Sequence, residues 1–422
     1  MSTESGPEPA AAGAKFEFRK AMIVRAAVPV LNRKGVRGMT FTEIAGDLGL
    51  VPTAVNYYFR RKEDLAAACF LQAIIFFNSL LDRSDLEPTP RQSLRRFLQD
   101  FAAHLAAVDA GTADPVAIFN DVRTIGNPAV DLAYTDMFRR VRRIFASIPL
   151  VEPARLGRNA RTHLLVSQVL WAVLWLRQYE PEDYPRMVDR LFDVLVNGLA
   201  APCSTWAPLD AAAPEETGGA LRLSQEAFLR AATELINEHG YLGASVGRIS
   251  ARLNVSKGAF YHHNQAKNDL VEQCFDRTFK IMRASLAASE ALTTSAGDAL
   301  STLVGSLTRR GLSGEAPLIR TSALSAAPEE LQARLVLRFS RYSSRLAGLV
   351  SDGIADGSIR PVDANVAAQT LVCLINASAE LQHWAPGIDA STALEAYARP
   401  LFTGILGPDD PTQAVSAKGP QA

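Results

Sequence analysis

Two sets of residues in this chain have types and spacings that can do chemistry. The first pairs acids with imidazoles at helical spacing. Glu380-Leu381-Gln382-His383 is an ExxH, the spacing of di-iron helical bundles, which need two such motifs and two further inward glutamates. No second ExxH occurs, and Asp100 with His104 has i,i+4 spacing and the wrong acid. The cysteines at 69, 203, 274 and 373 show no CxxC or CxxH spacing, so no zinc site is suggested. Metal, cofactor and enzyme readings therefore find no support. The second set runs from Ser245 to Lys267. Ser245 is placed to cap a helix over 246–253. Asn254-Val255 then makes a tight turn, and Ser256 caps a third helix over 257–263 that ends in Tyr261-His262-His263. Small and polar groups at a helix start let the backbone approach a nucleic-acid groove, and hydroxyl, ammonium and amide donors reach phosphates and base edges. Lys267 follows the helix, where an ammonium meets a sugar-phosphate backbone.

These residues belong to an element that occurs twice. Residues 19–70 align without a gap with 224–275, at an offset of about 205 residues, and such a repeat decides the architecture. Arg25-Ala26-Ala27 matches Arg230-Ala231-Ala232, and Asn32, Gly35 and Gly38 match Asn237, Gly240 and Gly243. Lys62, Asp64, Leu65, Cys69 and Phe70 match Lys267, Asp269, Leu270, Cys274 and Phe275. Gly240 is placed to end the first helix of the second head with a left-handed turn. Pro29 should kink the corresponding helix of the first.

The chain has 422 residues, 48% of them hydrophobic, and no formal net charge. That size allows two or three domains with real cores. Neutrality argues against a nucleic-acid coat protein, yet residues 15–65 are locally basic, which suits a DNA-facing head on a neutral body. Apolar positions recur at helical spacing throughout, so the chain is read as all-α. The Pro/Ala/Gly-rich start and the Pro/Asp/Gly-rich end, 1–14 and 407–422, read as disordered tails, the first lacking the features of a signal peptide. Residues 201–220 read as a linker that spans about 65–70 Å when extended, enough to set two heads side by side or apart. The most apolar stretch, Leu164–Leu176, is too short to cross a bilayer, so no membrane segment is expected. The few cysteines fit a reduced, cytoplasmic setting. The run Arg139, Arg140, Arg142 and Arg143 reads as a solvated helix face.

The segment Val255-Ser256-Lys257-Gly258-Ala259-Phe260-Tyr261-His262-His263, with Lys267 and Leu270, resembles the head signature of the tetracycline-repressor (TetR) family of bacterial transcription regulators. The resemblance is specific over both heads and architectural over the rest. It implies two tandem units, each a three-helix helix-turn-helix head and a helical ligand and dimerisation body. The heads are placed at 15–66 and 221–271, the bodies at 67–200 and 272–406. It implies DNA contacts by Ser245, Ser256, Lys257, Gly258, Tyr261, His262 and Lys267. The matching first-head positions are Thr40, Val51, Pro52, Thr53, Asn56, Tyr57 and Lys62. The heads depart from the family pattern differently: Asn56 replaces a tyrosine and Val51 a capping serine in the first, whereas Asn264 replaces an aromatic, kept as Phe59, in the second. They should therefore read different sequences.

The resemblance also implies a small-molecule pocket in each body. Candidate linings are Phe119, Tyr134, Phe138, Trp171 and Trp175 in the first body, and Asn376, Glu380, His383 and Trp384 in the second. The last two helices of each body, 162–178 with 184–199 and 366–383 with 393–406, should join in a four-helix bundle. The chain would then be an intrachain pseudo-dimer, with a homodimer of such chains as a possible further assembly. The implied function is a ligand-responsive repressor on double-stranded operator DNA. The competing reading is a small-molecule- or partner-binding module whose degenerate heads no longer bind DNA.

Overall fold

The computed structural model describes residues 9–119, 122, 125–148, 154–202, 204–211, 220–243, 245–252, 267–314, 317–320, 323 and 329–407. Helices account for nearly all of the regular structure among them. The first unit is α1 (Pro9–Gly38), α2 (Phe41–Asp47), α3 (Pro52–Tyr58), α4 (Lys62–Ser84), α5 (Pro90–Asp109), α6 (Pro128–Arg142), α7 (Ala154–Trp175) and α8 (Tyr184–Asn197). The second contains α9 (Ala220–Gly243), α10 (Val246–Arg252), α11 (Lys267–Leu292), α12 (Ala296–Ser313), α13 (Glu329–Asp356) and α14 (Ala364–Ala377). It closes with short turns over 378–384 and 390–403.

Each head is built by burying one stripe of its first helix. Ile23, Val24, Ala27, Val28 and Leu31 of α1 face Ile44, Val55, Leu65 and Phe70 in one continuous core. Helix α1 starts at Pro9, inside the segment expected to be a disordered tail. It runs through Pro29 and breaks at Gly35 (φ 65°, ψ 175°), not at the proline. A positive φ costs glycine little and other residues more, so the break falls where no Cβ interferes. Helix α9 continues to Gly243, past the stop expected at Gly240.

One feature recurs where each head meets its body. Asn32 donates from Nδ2 to the Val116 carbonyl (2.9 Å) and accepts from the Ile118 amide (2.8 Å). Asn237 makes the same clamp on Leu318 (2.9 Å) and Arg320 (3.0 Å). Cys69 and Cys274, each buried, lie 3.7 Å from the carbonyls of Val24 and Leu229. The repeat thus extends from sequence into three-dimensional detail.

The two units pack on each other through α7, α8, α14 and residues 390–403. Gln168 donates to the Thr370 carbonyl (2.9 Å), Trp171 Nε1 to Gln369 Oε1 (3.1 Å), and Asn159 to the Trp384 carbonyl (3.0 Å). At the centre the contact is reciprocal. The Leu199 amide donates to the Leu401 carbonyl (3.1 Å), and the Ile405 amide to the Leu195 carbonyl (2.8 Å). A Cβ on Gly198 would overlap the Phe402 carbonyl, and one on Gly404 the Val196 carbonyl. Residue i meeting j while the counterpart of j meets that of i is the mark of an isologous, two-fold interface. Here it lies within one polypeptide. Its signal is the pair Leu195-Val196-Asn197-Gly198-Leu199 and Leu401-Phe402-Thr403-Gly404-Ile405, which the sequence reading did not single out.

Four expectations change on contact with the fold. The first part of the linker is not a free spacer: Trp206 packs on Phe402 and donates to Glu395 (3.1 Å), the Leu209 amide donates to Thr302 (3.1 Å), and Ala211 is buried. The arginine run is not simply solvated, because Arg140 bridges α6 to Asn78, Asp82 and Asp85 along α4 and its end. Among the described residues helix α4, not 164–176, is the apolar helix long enough to cross a membrane, and more than half of its most apolar stretch is buried inside the protein. The last helix of the second body breaks into α, π and α turns over Ala390–Ala393, Leu394–Ala398 and Arg399–Thr403. Pro400 has no N–H for a helical bond and its ring crowds the preceding turn, which accounts for the wider π turn.

Candidate nucleic-acid interface

In the first head, Thr40 caps α2 by accepting from the Glu43 amide (3.3 Å). Glu43 then takes Arg33 (2.9 Å) and Lys34 (2.8 Å) from α1. The hydrogen bond from Lys34 holds its carboxyl below the ordinary value, against a smaller opposing effect of burial and with help from Arg33. This pairing sets α2 against α1 and so aims the next helix. Helix α3 starts with Pro52, whose missing N–H costs nothing in a first turn. Val51 offers no side-chain cap and is exposed. Val55 and Phe59 are buried and lock α3 down. Pro52, Thr53, Asn56 and Tyr57 are exposed. Positions i, i+1, i+4 and i+5 lie on one face of a helix, so these residues form a single solvent-facing strip.

The strip is flanked by cations. Arg60 and Arg37 are exposed. Lys62, the first residue of α4, donates from Nζ to the Arg37 carbonyl (2.5 Å). That bond puts the ammonium at the junction of α1 and α4, beside the end of α3. Phe16, from the start of α1, packs on Tyr58 (4.9 Å between ring centroids) and on Tyr57 (6.0 Å). Tyr57 still keeps 73% of its surface open. The sequence reading did not foresee Phe16 at this face, since it lies three residues before the aligned segment that begins at Arg19.

In the second head, Ser245 is exposed and accepts from the Arg248 amide (3.3 Å), as Thr40 does in the first. Ser256, Lys257, Gly258, Tyr261, His262 and Asn264 lie outside the described residues. Lys267 opens α11.

The expected pocket residues of the bodies are distributed differently from the sequence reading. Phe119 and Tyr134 are buried and pack edge to face (4.9 Å), and Phe119 also meets Phe70 and Phe77. Trp384 belongs to the second body yet stacks on Phe138 (4.5 Å) and meets Tyr134 (5.3 Å) of the first. Trp171 lies at the interface, on Gln369. Trp175 is buried against Tyr179. Glu380 pairs with Arg320, Asn376 is half-buried, and His383 is exposed. The helix that would have aligned the ExxH ends at Ala377, and among the described residues no cluster of metal-ligating side chains forms. Phe119, Tyr134, Phe138 and Trp384 thus form one aromatic cluster that crosses the contact between units.

The sequence profile described as "Bacterial regulatory proteins, tetR family" matches residues 23–69 and 228–274. The chain is similar to that family over these two segments. Its two matched segments are the two heads described above, with the repeat offset unchanged. Among curated proteins, the Transposon Tn10 TetC protein of Escherichia coli is 32% identical over 68 residues, 16% of this chain and 34% of that protein. The match thus spans about a third of that relative's length. Among solved structures, apo AibR aligns with a TM-score of 0.36 at 20% identity, over 42% of this chain and 98% of its own. A TetR/AcrR-family transcriptional regulator of Thermobifida fusca aligns with a TM-score of 0.29 at 18% identity, over 41% and 96%.

Proposed function

We propose that this chain is a tetR-family transcriptional repressor that grips one operator with two non-identical heads and releases it when a small-molecule effector binds. The observation that carries the reading is the strip Pro52, Thr53, Asn56 and Tyr57, held to the solvent by buried Val55 and Phe59. It sits in a head whose counterpart lies across an internal two-fold contact. Two heads related by such a contact match two half-sites of a duplex, where each third helix enters a major groove. Thr40, Lys62, Ser245 and Lys267 are the phosphate-facing group in this reading. Thr53, Asn56 and Tyr57, with Ser256, Lys257, Gly258, Tyr261 and His262, are the groove-facing group. Such a protein works in the cytoplasm, where its operator is.

The test is a footprint on the DNA flanking the gene, repeated over a range of salt concentrations. Protection of one discrete operator, with affinity falling steeply as salt rises, is expected. Equal affinity for flanking and random DNA would overturn the reading and leave a partner-binding module with degenerate heads.

A further inference from the structure

The head–body joints of the two units are built on the same asparagine clamp, and the first of them is hollow. In the first unit a cavity of about 190 Å³ lies between α1, α4, α5 and residues 114–117. Val28, Ala73, Phe76, Val116 and Ala117 form apolar walls, and Gln72 and Asp114 stand at its solvent edge. The Phe76 and His104 rings lie 4.2 Å apart. His104 Nε2 is buried and has no hydrogen-bond partner among the described residues. Burial lowers the imidazole below its ordinary value, against a smaller opposite pull from Asp114.

In the second unit, Arg277 holds the position of Gln72, counted from the shared starts of α4 and α11. Its side chain is only 4% exposed. It reaches Glu226 of α9 at 2.5 Å and donates to the Pro317 carbonyl at 2.7 Å. Pro317 corresponds to Pro115, because each precedes the carbonyl held by its clamp. Thr278, in the place of Ala73, accepts from the Ile319 amide (3.0 Å). The second joint is thus crossed by the buried Arg277 side chain and its pair with the half-buried Glu226, where the first has space. Arg277 also holds the Pro317 carbonyl, so its side chain occupies that joint and ties its two sides together.

We infer that the first joint is an effector site and the second is not, so that one chain takes one effector, a single aromatic ring bearing a neutral hydroxyl. Size sets the ring: an apolar cavity of roughly 150 Å³ accepts one benzene. Chemistry sets the substituent. A neutral imidazole nitrogen is a donor in one tautomer and an acceptor in the other, and a hydroxyl pairs with either. Coupling follows from the wall itself. Val28 belongs to the head helix and Val116 to the segment clamped by Asn32, so an occupant bears directly on the contact that sets the head against the body. The inference rests on the ligand-responsive reading above and deepens it.

The test is calorimetric titration of the full chain with phenol and, separately, toluene, with no DNA present. One phenol per chain is expected, with toluene binding at least ten-fold more weakly. Gln72→Arg, which copies the closed joint, and Ala73→Leu, which fills the hollow by another route, should each weaken phenol at least ten-fold. His104→Leu should erase the preference for phenol over toluene. Unchanged thermal midpoints of the unliganded variants show that they fold. Two phenols per chain, none at millimolar concentration, equal affinity for toluene, or undiminished binding by both filled variants would overturn the inference. Because DNA is absent, its failure is separate from failure of the operator reading, which the footprint decides.

Discussion

The exposed strip of α3 divides its residues by what each can reach. Asn56 and Tyr57 point away from the core with Val55 and Phe59 behind them, so replacing either leaves the head folded. Asn56→Ala or Tyr57→Ala should cost about 1–3 kcal/mol on the true operator and relax preference at one or two base pairs, as read by competition with randomised sites. Lys62→Ala should instead weaken every sequence alike and lower the salt slope by about one, because phosphates carry no base identity. Lys267→Ala should do the same. If Asn56→Ala left affinity and preference unchanged while Tyr261→Ala abolished binding, the first head would be a remnant. The thiols make an independent prediction. Burial pushes Cys69 and Cys274 up to about 12 and Cys373 well above its ordinary value. Thiolate is the reactive form, so these three should resist alkylation at pH 8 in the native chain and react fully in denaturant, as mass spectrometry of their peptides would record.

At the scale of elements, two joints carry the architecture. Asn32 and Asn237 each tie a head helix to its body with two hydrogen bonds. Asn32→Ala strands a carbonyl and an amide and should cost roughly 2–3 kcal/mol, measured by urea unfolding. The second joint is the close approach at Gly198 and Gly404. Both have positive φ (72° and 95°), and each would drive a Cβ into the other unit's backbone. Gly198→Ala or Gly404→Ala should therefore destabilise by on the order of 3 kcal/mol or more, from strain and collision together. Gly357→Ala is the control: its φ is 79° but a Cβ there meets nothing within 4 Å, so only the conformational cost of about 1–2 kcal/mol remains. A Gly198→Ala chain no less stable than the control would remove the two-fold contact from the structure of the protein in solution.

For the whole molecule, the isologous face is already used up inside the chain. Light scattering should find a particle near the 45.6 kDa of one chain. A tight dimer protecting four half-sites would contradict this. The two third helices carry different residues, Pro52-Thr53-Ala54-Val55-Asn56-Tyr57 against Lys257-Gly258-Ala259-Phe260-Tyr261-His262. The selected operator should then be an imperfect palindrome or none, with half-site centres about 34–36 Å apart. Recovery of a perfect palindrome from a random pool would mean that one head reads, or that two chains present the same head.

What the sequence determined by itself is local and repeated. Helical periodicity, caps such as Thr40 and Ser245, and the gapless match of two heads depend on residues close in the chain, so the all-α class and the two heads were legible. The exposed strip of α3 was legible too, since one short helix with two buried anchors leaves only one face. Tertiary structure decided what depends on distant partners. Gly35, not Pro29, breaks α1, because α1 must turn there to meet the rest of the head. Trp384 reaches Tyr134 and Phe138 from the other unit across more than two hundred residues of chain, a contact that no local spacing encodes. The hollow joint beside His104 and the closed joint at Arg277 differ by which side chain fills the space after packing, a volume that neither spacing nor composition encodes.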